Sequence, residues 1–425
     1  MTPPIRYLAI TGATVLALVG AVAALNAVVD PFEMTRAPAR PGFNQNKPAI
    51  HQRVRLTKAY DVRHVAPGAV VLGTSRSHLG LRTTHPGWHG APRYNLAFDG
   101  ATPREMHAYL LHAHAVRPLQ QVVLGLDTWH LKHLPIGTRP GFDPTLLLSD
   151  GSAASWLRLF AADARVLASI DTLRASVNTL RAQDWAQPRW LAPDGQRLGD
   201  AFFRRAGEMF QDESPRAYFA AYDRQEVGWR RPASPAPGAA PQAAGAPAQP
   251  SAMADIGRIV EFCRAQGIDL RIFITPAHVH QMEIGALTGE WPGLEQAKRD
   301  LVRMLAADAA RHPGRPAVPL WDFSGYSSVT TEPMPAAGSR DEMRYYWDAS
   351  HFKENVGDWV LARLFGVSDA AAGAPPADFG VLLTERNVET AIAATRAAAE
   401  AYRKTRSHEV AQLRTLVDEV LGPRP

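Results

Sequence analysis

Three short apolar runs in the first third of the chain constrain its fold more than any other feature. The runs at 69–72 and 121–126 end at Gly73 and Asp127, and a shorter run precedes Gly100. Valine and leucine dominate the two longer runs. A helical pattern lies between the run before Gly100 and the run at 121–126. Strands that alternate with helices in this way predict an α/β fold with a parallel, doubly wound sheet.

The same alternation resumes later in the chain. Apolar spacing predicts two helices and two strands there, in the order helix 253–265, strand 269–275, helix 294–311 and a last strand at 318–323. We therefore expect one α/β domain in two parts, residues 69–130 and 253–366. With 425 residues, of which 46% are hydrophobic and 20% charged, the chain has enough apolar material for a large core.

Charge and cysteine content narrow the classes of function. The net charge of +5 is spread along the chain and forms no basic stripe, so no nucleic-acid partner is predicted. Cys263 is the single cysteine, which excludes an intramolecular disulfide. The sequence has neither a Gly-rich phosphate loop nor a dinucleotide fingerprint, and no cofactor is predicted.

Residues 1–30 contain an uncharged apolar segment, 7–29, that is long enough to span a bilayer. The small residues Ala21-Val-Ala23 also fit a signal-peptide cleavage site, but the apolar run continues past them, which favours an uncleaved anchor. Arg6 precedes the segment and favours a cytoplasmic amino terminus. We expect a single pass through the inner (cytoplasmic) membrane, with the bulk of the chain in the periplasm or outside the cell.

Four further segments lie outside the two halves of the α/β domain. Residues 31–68 are rich in proline at first and predict a tether ending in a short helix. Residues 131–231, rich in Trp, Arg and Leu, predict a helical insertion or cap over the sheet edge. Residues 232–252 are almost entirely Pro, Ala, Gly, Gln and Ser and predict a disordered linker. Residues 367–425 predict a linker and one long helix at 384–421.

Two motifs carry residues suited to nucleophilic catalysis. Gly73-Thr-Ser75 places a serine at the carboxyl end of the first strand, where sites form in open α/β sheets. Asp348 and His351 lie three residues apart before a predicted helix, a spacing that allows the carboxylate to orient the imidazole. Each motif also has a structural alternative: Ser75 or Ser77 caps a helix in the first, and Asp348 caps one, beside a surface histidine, in the second.

Taken in chain order, the motifs resemble those of the SGNH (GDSL-like) hydrolase and acyltransferase family. Its four sequence blocks are matched by Gly73-Thr-Ser75, by Gly100 with Asn95 upstream, by the turn at Asp127, and by Asp348 with His351. The resemblance covers about 70–130 and 253–366. It implies a flavodoxin-like three-layer sandwich with a parallel central sheet.

The resemblance implies a role for each matching residue. Ser75 would be the nucleophile, His351 its general base and later acid, and Asp348 the group that orients His351. The backbone N–H groups of Ser75 and Gly100 would form an oxyanion hole. The family places an asparagine donor where this chain has Asp127. A carboxylate repels an oxyanion, so Asp127 is assigned to the structure or to substrate orientation.

Three further side chains are candidates for substrate binding. Arg76 follows the serine and would neutralise an anionic substrate; the alternative is a surface or capping arginine. His278 and His280 follow the strand at 269–275 and would line the mouth of the pocket. The remaining histidines lack a recognisable third ligand, so no metal site is predicted.

The anchor narrows the resemblance to extracytoplasmic members, such as those that O-acetylate exported polysaccharides like alginate or transfer D-alanine to teichoic acids. The expected activity is acyl transfer through an acyl-serine, to water as an esterase or to a sugar hydroxyl as an O-acetyltransferase. Expected partners are a cell-envelope polysaccharide or other acylated glycan and a membrane-bound O-acyltransferase. The alternative is a non-catalytic glycan-binding or scaffold subunit of a membrane acyl-transfer complex.

Overall fold

The computed structural model describes residues 3–131, 136–183, 190–200, 203, 214–230, 251–336 and 338–422. Within these ranges the protein is a mixed α/β structure. Its strands are β1 (Ala69–Leu72), β2 (Arg93–Asn95), β3 (Gln121–Leu126), β4 (Asp269–Ile274), β5 (Leu320–Asp322) and β6 (Val381–Leu383). Its helices are α1 (Pro3–Val29), α2 (Val54–Val65), α3 (Ser75–Gly80), α4 (Pro103–Val116), α5 (Ala153–Leu167), α6 (Ile170–Arg181), α7 (Pro215–Gly228), α8 (Ala252–Gln266), α9 (Val279–Leu287), α10 (Trp291–Arg311), α11 (Glu354–Phe365), α12 (Val388–Thr405) and α13 (Ser407–Leu421).

The six strands form one sheet in the order β2-β1-β3-β4-β5-β6. The first five are parallel, and β6 pairs antiparallel with β5. The predicted α/β fold with a mostly parallel sheet is confirmed. The prediction that the strand at 318–323 is the last one is wrong, because β6 extends the sheet beyond it. Since β1 to β5 run in one direction, their carboxyl ends share one edge, which is where sites form in such sheets.

Both faces of the sheet are buried by helices. Val70 and Leu72 of β1 join the apolar cluster formed with α2, α4, α8 and α10, whereas Ala69 and Val71 join the cluster formed with α11. A strand alternates its side chains between faces, and burial on both sides explains why β1 is continuously apolar.

The turn after β1 depends on close packing at two glycines. A side chain at Gly73 would begin 2.4 Å from the Ser77 hydroxyl, and one at Gly125 of β3 would begin 2.3 Å from it. Both positions therefore exclude a Cβ, and the first turn of α3 approaches β3 closely. This packing fixes Ser75, the first residue of α3, at the sheet edge.

Helix α1 has a 26-residue segment at Pro4–Val29 that is long and apolar enough to cross a membrane, and the rest of the chain buries none of its most apolar 18-residue window. Its last turn is nevertheless fixed to the domain. The amide of Asn26 donates to the Leu167 carbonyl over 2.7 Å, and its oxygen accepts from the Ser176 hydroxyl over 2.8 Å. The carboxylate of Asp30 then accepts the next backbone N–H groups, including that of Thr35. The predicted tether after the anchor is thus a set of ordered turns.

The linker predicted at 232–252 lies outside the described residues up to 250, so only its last two residues are seen, and Ser251 caps α8. Another predicted segment differs from the structure. The single helix predicted at 384–421 is two helices, because the backbone at Arg406 leaves the helical conformation between α12 and α13. The second helix can therefore turn back and pack on α7 and α9.

Candidate active site

Ser75, Asp348 and His351 form a continuous line of hydrogen bonds. Nδ1 of His351 lies 2.8 Å from Oδ2 of Asp348, and Nε2 lies 2.8 Å from the Ser75 hydroxyl. Because Nδ1–H donates to the carboxylate, Nε2 is the nitrogen that accepts from the serine. This is the geometry of a serine nucleophile with its general base and the group that orients the base. The structure thus brings together the three residues that the sequence assigned to catalysis.

The D-x-x-H spacing is explained by the turn that Asp348 organises. Its Oδ1 accepts the backbone N–H of Ser350 over 2.7 Å and that of His351 over 2.8 Å. One carboxylate therefore shapes the turn with one oxygen and holds the imidazole with the other. The carboxylate is fully buried, which leaves it with fixed partners.

Neither Ser75 nor Asp348 caps a helix. Thr74 is the N-cap of α3 and accepts the Arg76 N–H through its side chain, so Ser75 has its hydroxyl free for His351. Lys353 is the residue before α11, five positions after Asp348. The capping alternatives for Ser75 and Asp348 are therefore wrong.

Helix α7 of the insertion supports the Asp348–His351 pair, a contact that sequence reasoning did not find. The ring edge of Tyr222 packs on the imidazole, with centroids 5.5 Å apart. The phenol of Tyr218 hydrogen-bonds to Asp348, and burial together with that carboxylate raises the pKa of Tyr218. No local pattern in α7 signals these contacts, because the partners lie over a hundred residues later in the chain.

Arg76 does not face a substrate, and its assignment to substrate binding is corrected. The side chain is buried and donates to the Ser350 hydroxyl over 3.0 Å, to the Thr275 hydroxyl over 3.1 Å and to the Gln281 amide oxygen over 2.5 Å. It also lies 3.6 Å from the carboxylate of Asp127. Arg76 therefore ties the serine turn to the end of β4 and to the Asp348–His351 turn.

The hydrogen-bond chain from Arg76 continues into the insertion. The Gln281 amide donates to Glu226 of α7 over 2.7 Å, and Arg230 donates to the other oxygen of Glu226 over 3.2 Å. Buried polar groups thus join α3 to α9 and α9 to α7. A buried polar network is stable only if every donor and acceptor in it has a hydrogen-bond partner. This requirement allows one position of α7 against the site.

Asp127 is a buried structural carboxylate, and its assignment to substrate binding is also corrected. Its oxygens accept from the hydroxyls of Thr74 and Thr275, each over 2.8 Å, and from the indole N–H of Trp129 over 3.0 Å. Burial alone would raise the pKa of Asp127, but Arg76, His130 and the two threonine hydroxyls outweigh it and hold the pKa below its ordinary value. The Asp127 carboxylate is an anion whose oxygens point to these partners inside the protein, so it does not repel an oxyanion at Ser75.

His278 and His280 are buried, which corrects their assignment to the mouth of the pocket. A ring nitrogen of His278 lies 2.8 Å from the Glu332 carbonyl. Nδ1 of His280 lies 2.7 Å from Asp223 of α7, and its Nε2 lies 3.9 Å from Glu409 of α13. The second histidine therefore joins the insertion to the last helix.

We expect His280 to make stability depend on pH. Burial alone would lower the pKa of His280, but Asp223 and Glu409 raise it from 6.5 to about 9. Because the folded pKa is the higher one, this stabilisation is complete below pH 6.5 and disappears as the pH rises through 9. By linkage it amounts to roughly 3 kcal/mol. Thermal unfolding between pH 6 and 10 should show H280Q losing much of the wild-type dependence.

The matched control is H408Q, because His408 is exposed on α13. This variant should follow the wild-type profile. Equal pH profiles for H280Q and the wild type would contradict the expectation.

Hydrogen bonds stabilise the turn that contains Gly100 and the segment before it. Gly100 adopts a positive φ of 60°, and the turn around it closes through a bond from the Ala101 N–H to the Phe98 carbonyl. Upstream, the Asn95 amide donates to the Ser77 carbonyl over 3.0 Å, which links the end of β2 to α3. The ammonium of Lys58, fully buried, donates to the carbonyls of Asn95 and Ala97. Sequence reasoning did not assign Lys58 a role.

Within the described ranges, no group of three or more His, Cys, Asp or Glu side chains is placed to hold a metal ion. Comparison with the profiles of known protein families finds no match. No curated protein matches the sequence either.

Proposed function

We propose that the chain is a membrane-anchored, extracytoplasmic serine acyl esterase or O-acetyltransferase of the SGNH type, with the flavodoxin-like three-layer sandwich of that family. The observation that carries the proposal is the hydrogen-bonded line from Ser75 through His351 to Asp348. A buried carboxylate, an imidazole held by it and a serine at a sheet edge are the parts that acyl transfer through serine requires.

In the first step the Ser75 hydroxyl oxygen attacks the carbonyl carbon of an ester, and Nε2 of His351 takes the hydroxyl proton. Asp348 stabilises the imidazolium that forms. Negative charge develops on the carbonyl oxygen, where the N–H groups of Ser75 and Gly100 are the proposed donors. The tetrahedral intermediate then expels the alcohol, which receives the proton from His351, and an acyl-serine remains.

In the second step His351 removes a proton from the acceptor, whose oxygen attacks the acyl-serine. Water as acceptor gives a free acid and an esterase. A sugar hydroxyl gives a new ester and an O-acetyltransferase. In both cases His351 passes the proton that it took from the acceptor to the oxygen of Ser75, which regenerates the serine hydroxyl and the neutral imidazole.

The proposed location and partners follow from α1. A single apolar helix at the amino terminus would hold the domain at the outer face of the cytoplasmic membrane, in the periplasm or outside the cell. Substrates at that surface include acylated cell-envelope and exported polysaccharides. A membrane-bound O-acyltransferase is the proposed source of acyl groups if the acceptor is a sugar.

The test uses the full chain in detergent micelles and a serine-reactive fluorophosphonate. We expect one adduct by intact mass spectrometry, located at Ser75 by peptide mapping. H351A should prevent labelling because the serine loses its base, while its unfolding temperature shows whether the fold is kept. A folded wild-type chain that remains unlabelled would overturn the enzymatic proposal and favour the non-catalytic binding or scaffold subunit.

A further inference from the structure

A stripe of exposed apolar side chains runs along one face of α5. Leu157 is 72% exposed and Phe160 is 74% exposed. Ala161 and Ala164 continue the same face at helical spacing and are also exposed, and Trp156 flanks it. Large apolar side chains aligned in this way mark an interaction surface.

The opposite face of α5 already has its partners. Leu159 and Ala162 are buried, and Ala162 packs in a cluster with Tyr60 and Leu146. The exposed stripe is therefore not needed for the packing of α5 on the domain. It is a second apolar face on the same helix.

The position of α5 relative to α1 indicates what covers this face. The last turn of α1 packs on α5 and α6, where Asn26 bonds the Leu167 carbonyl and the Ser176 hydroxyl. The apolar segment of α1 has 26 residues, so it is about 39 Å long at 1.5 Å per residue. A bilayer core of about 30 Å needs only about 20 of them. About six residues at the carboxyl end of α1 are left over, and they include Asn26, which bonds Leu167 of α5 and Ser176 of α6.

Helices α5 and α6 therefore lie at the level where α1 leaves the hydrocarbon core. Ile170, at the junction of the two helices and three residues from the Leu167 carbonyl that α1 bonds, is 66% exposed. The segment 153–181 contains four arginines, at 158, 165, 174 and 181, and only two aspartates, at 163 and 171. Apolar side chains beside tryptophan and arginine are the composition of helices that lie in a membrane interface.

We propose that α5 lies in the outer interface of the membrane that α1 spans, with Leu157, Phe160 and Ile170 inserted among the lipids. The occupant of the stripe is thus the bilayer surface. The domain is attached at two places, by a spanning helix and by a helix lying flat beside it, and cannot rotate freely about α1. This inference rests on the proposed anchor and is independent of the chemistry at Ser75.

The test places a nitroxide label on the full chain in lipid nanodiscs that hold one copy each. Three single variants carry the label, F160C on the stripe, L16C in the exposed part of α1 and N178C on the exposed polar side of α6. Cys263 is buried, and burial raises the pKa of its thiol to about 12, so it should remain unlabelled. Collisions with oxygen, which concentrates in lipid, are compared with collisions with a water-soluble nickel chelate.

We expect the labels at 16 and 160 to collide more with oxygen and the label at 178 more with nickel. Oxygen contact at 16 with nickel contact at 160 would overturn the inference and leave the anchor intact. Nickel contact at both positions would overturn the inference and the anchor together. Protection of 160 from both reagents would show that protein covers the stripe, which also overturns it.

Discussion

S75A should reduce the rate of acyl transfer at least about 10³-fold, because no other group in the line can form the acyl intermediate. The hydroxyl has one described partner, Nε2 of His351, at the edge of the sheet. Removing it should leave the free energy of unfolding within about 0.5 kcal/mol of the wild type. The measurements are hydrolysis of p-nitrophenyl acetate by the full chain in micelles and thermal unfolding of the same samples.

The matched control is S77A, two residues later on the same short helix. Ser77 is fully buried, and its hydroxyl has no hydrogen-bond partner in the part of the chain that the structure describes. Its removal should leave both activity and stability near the wild-type values. Loss of activity in S77A equal to that in S75A would show that the effect is structural.

K58M should destabilise the fold by about 2–4 kcal/mol, because it leaves buried carbonyl groups without a donor. The side-chain nitrogen of Lys58 is the donor to three backbone carbonyl groups, those of Asn95 and Ala97, each 2.5 Å away, and that of Gly195, 2.9 Å away. Methionine fills similar space and offers no N–H. Chemical denaturation of K58M and the wild type in the same detergent measures the difference.

The free energies of unfolding of the wild type and of K58M should depend differently on pH. Burial lowers the pKa of Lys58 from 10.5 to about 7, against the attraction of nearby carboxylates. Because the folded pKa is the lower one, the stability from Lys58 grows as the pH rises from 7 towards 10.5 and is smallest in acid. The gap between wild type and K58M should widen over that range. K404M, on an exposed lysine of α12, should show neither effect.

Strands β1 to β5 and the two separate motifs were predictable because their signals are local, whereas the meeting of Ser75 with His351 was expected only from the resemblance to the SGNH family. A valine-rich run ending in Gly73 fixes a strand and a turn, and the next residues must lie at the sheet edge. The three-residue spacing of Asp348 and His351 is enough for one carboxylate to hold both the turn and the imidazole. Neither signal depends on distant parts of the chain.

The four assignments to substrate binding failed for one physical reason. Arg76, Asp127, His278 and His280 do lie near the sheet edge, but their side chains turn into the protein. Their direction is set by partners far along the chain, as when Arg76 bonds Gln281, 205 residues away. No periodicity in the sequence shows such a partner.

The missed elements are those without a clear apolar periodicity. Strand β6 has three residues, and Val381 and Leu382 remain 45% and 42% exposed at the sheet edge, so no alternation marks it. Helix α9 follows the His278 turn directly, and the sequence pattern predicts no helix between the strand at 269–275 and the helix at 294–311. The contact of α7 with His351 depends on how the insertion folds back, which composition alone does not specify.

The hydrogen bond between Ser75 and His351 joins residues 276 positions apart. A chain that is still being synthesised therefore carries its serine long before its base exists. Until residue 351 has arrived and the sheet is complete, Ser75 is an ordinary alcohol. Truncated or partly folded copies would then not be acylated at Ser75. Contacts of such long range form late and slowly, so the appearance of activity would time the completion of folding itself.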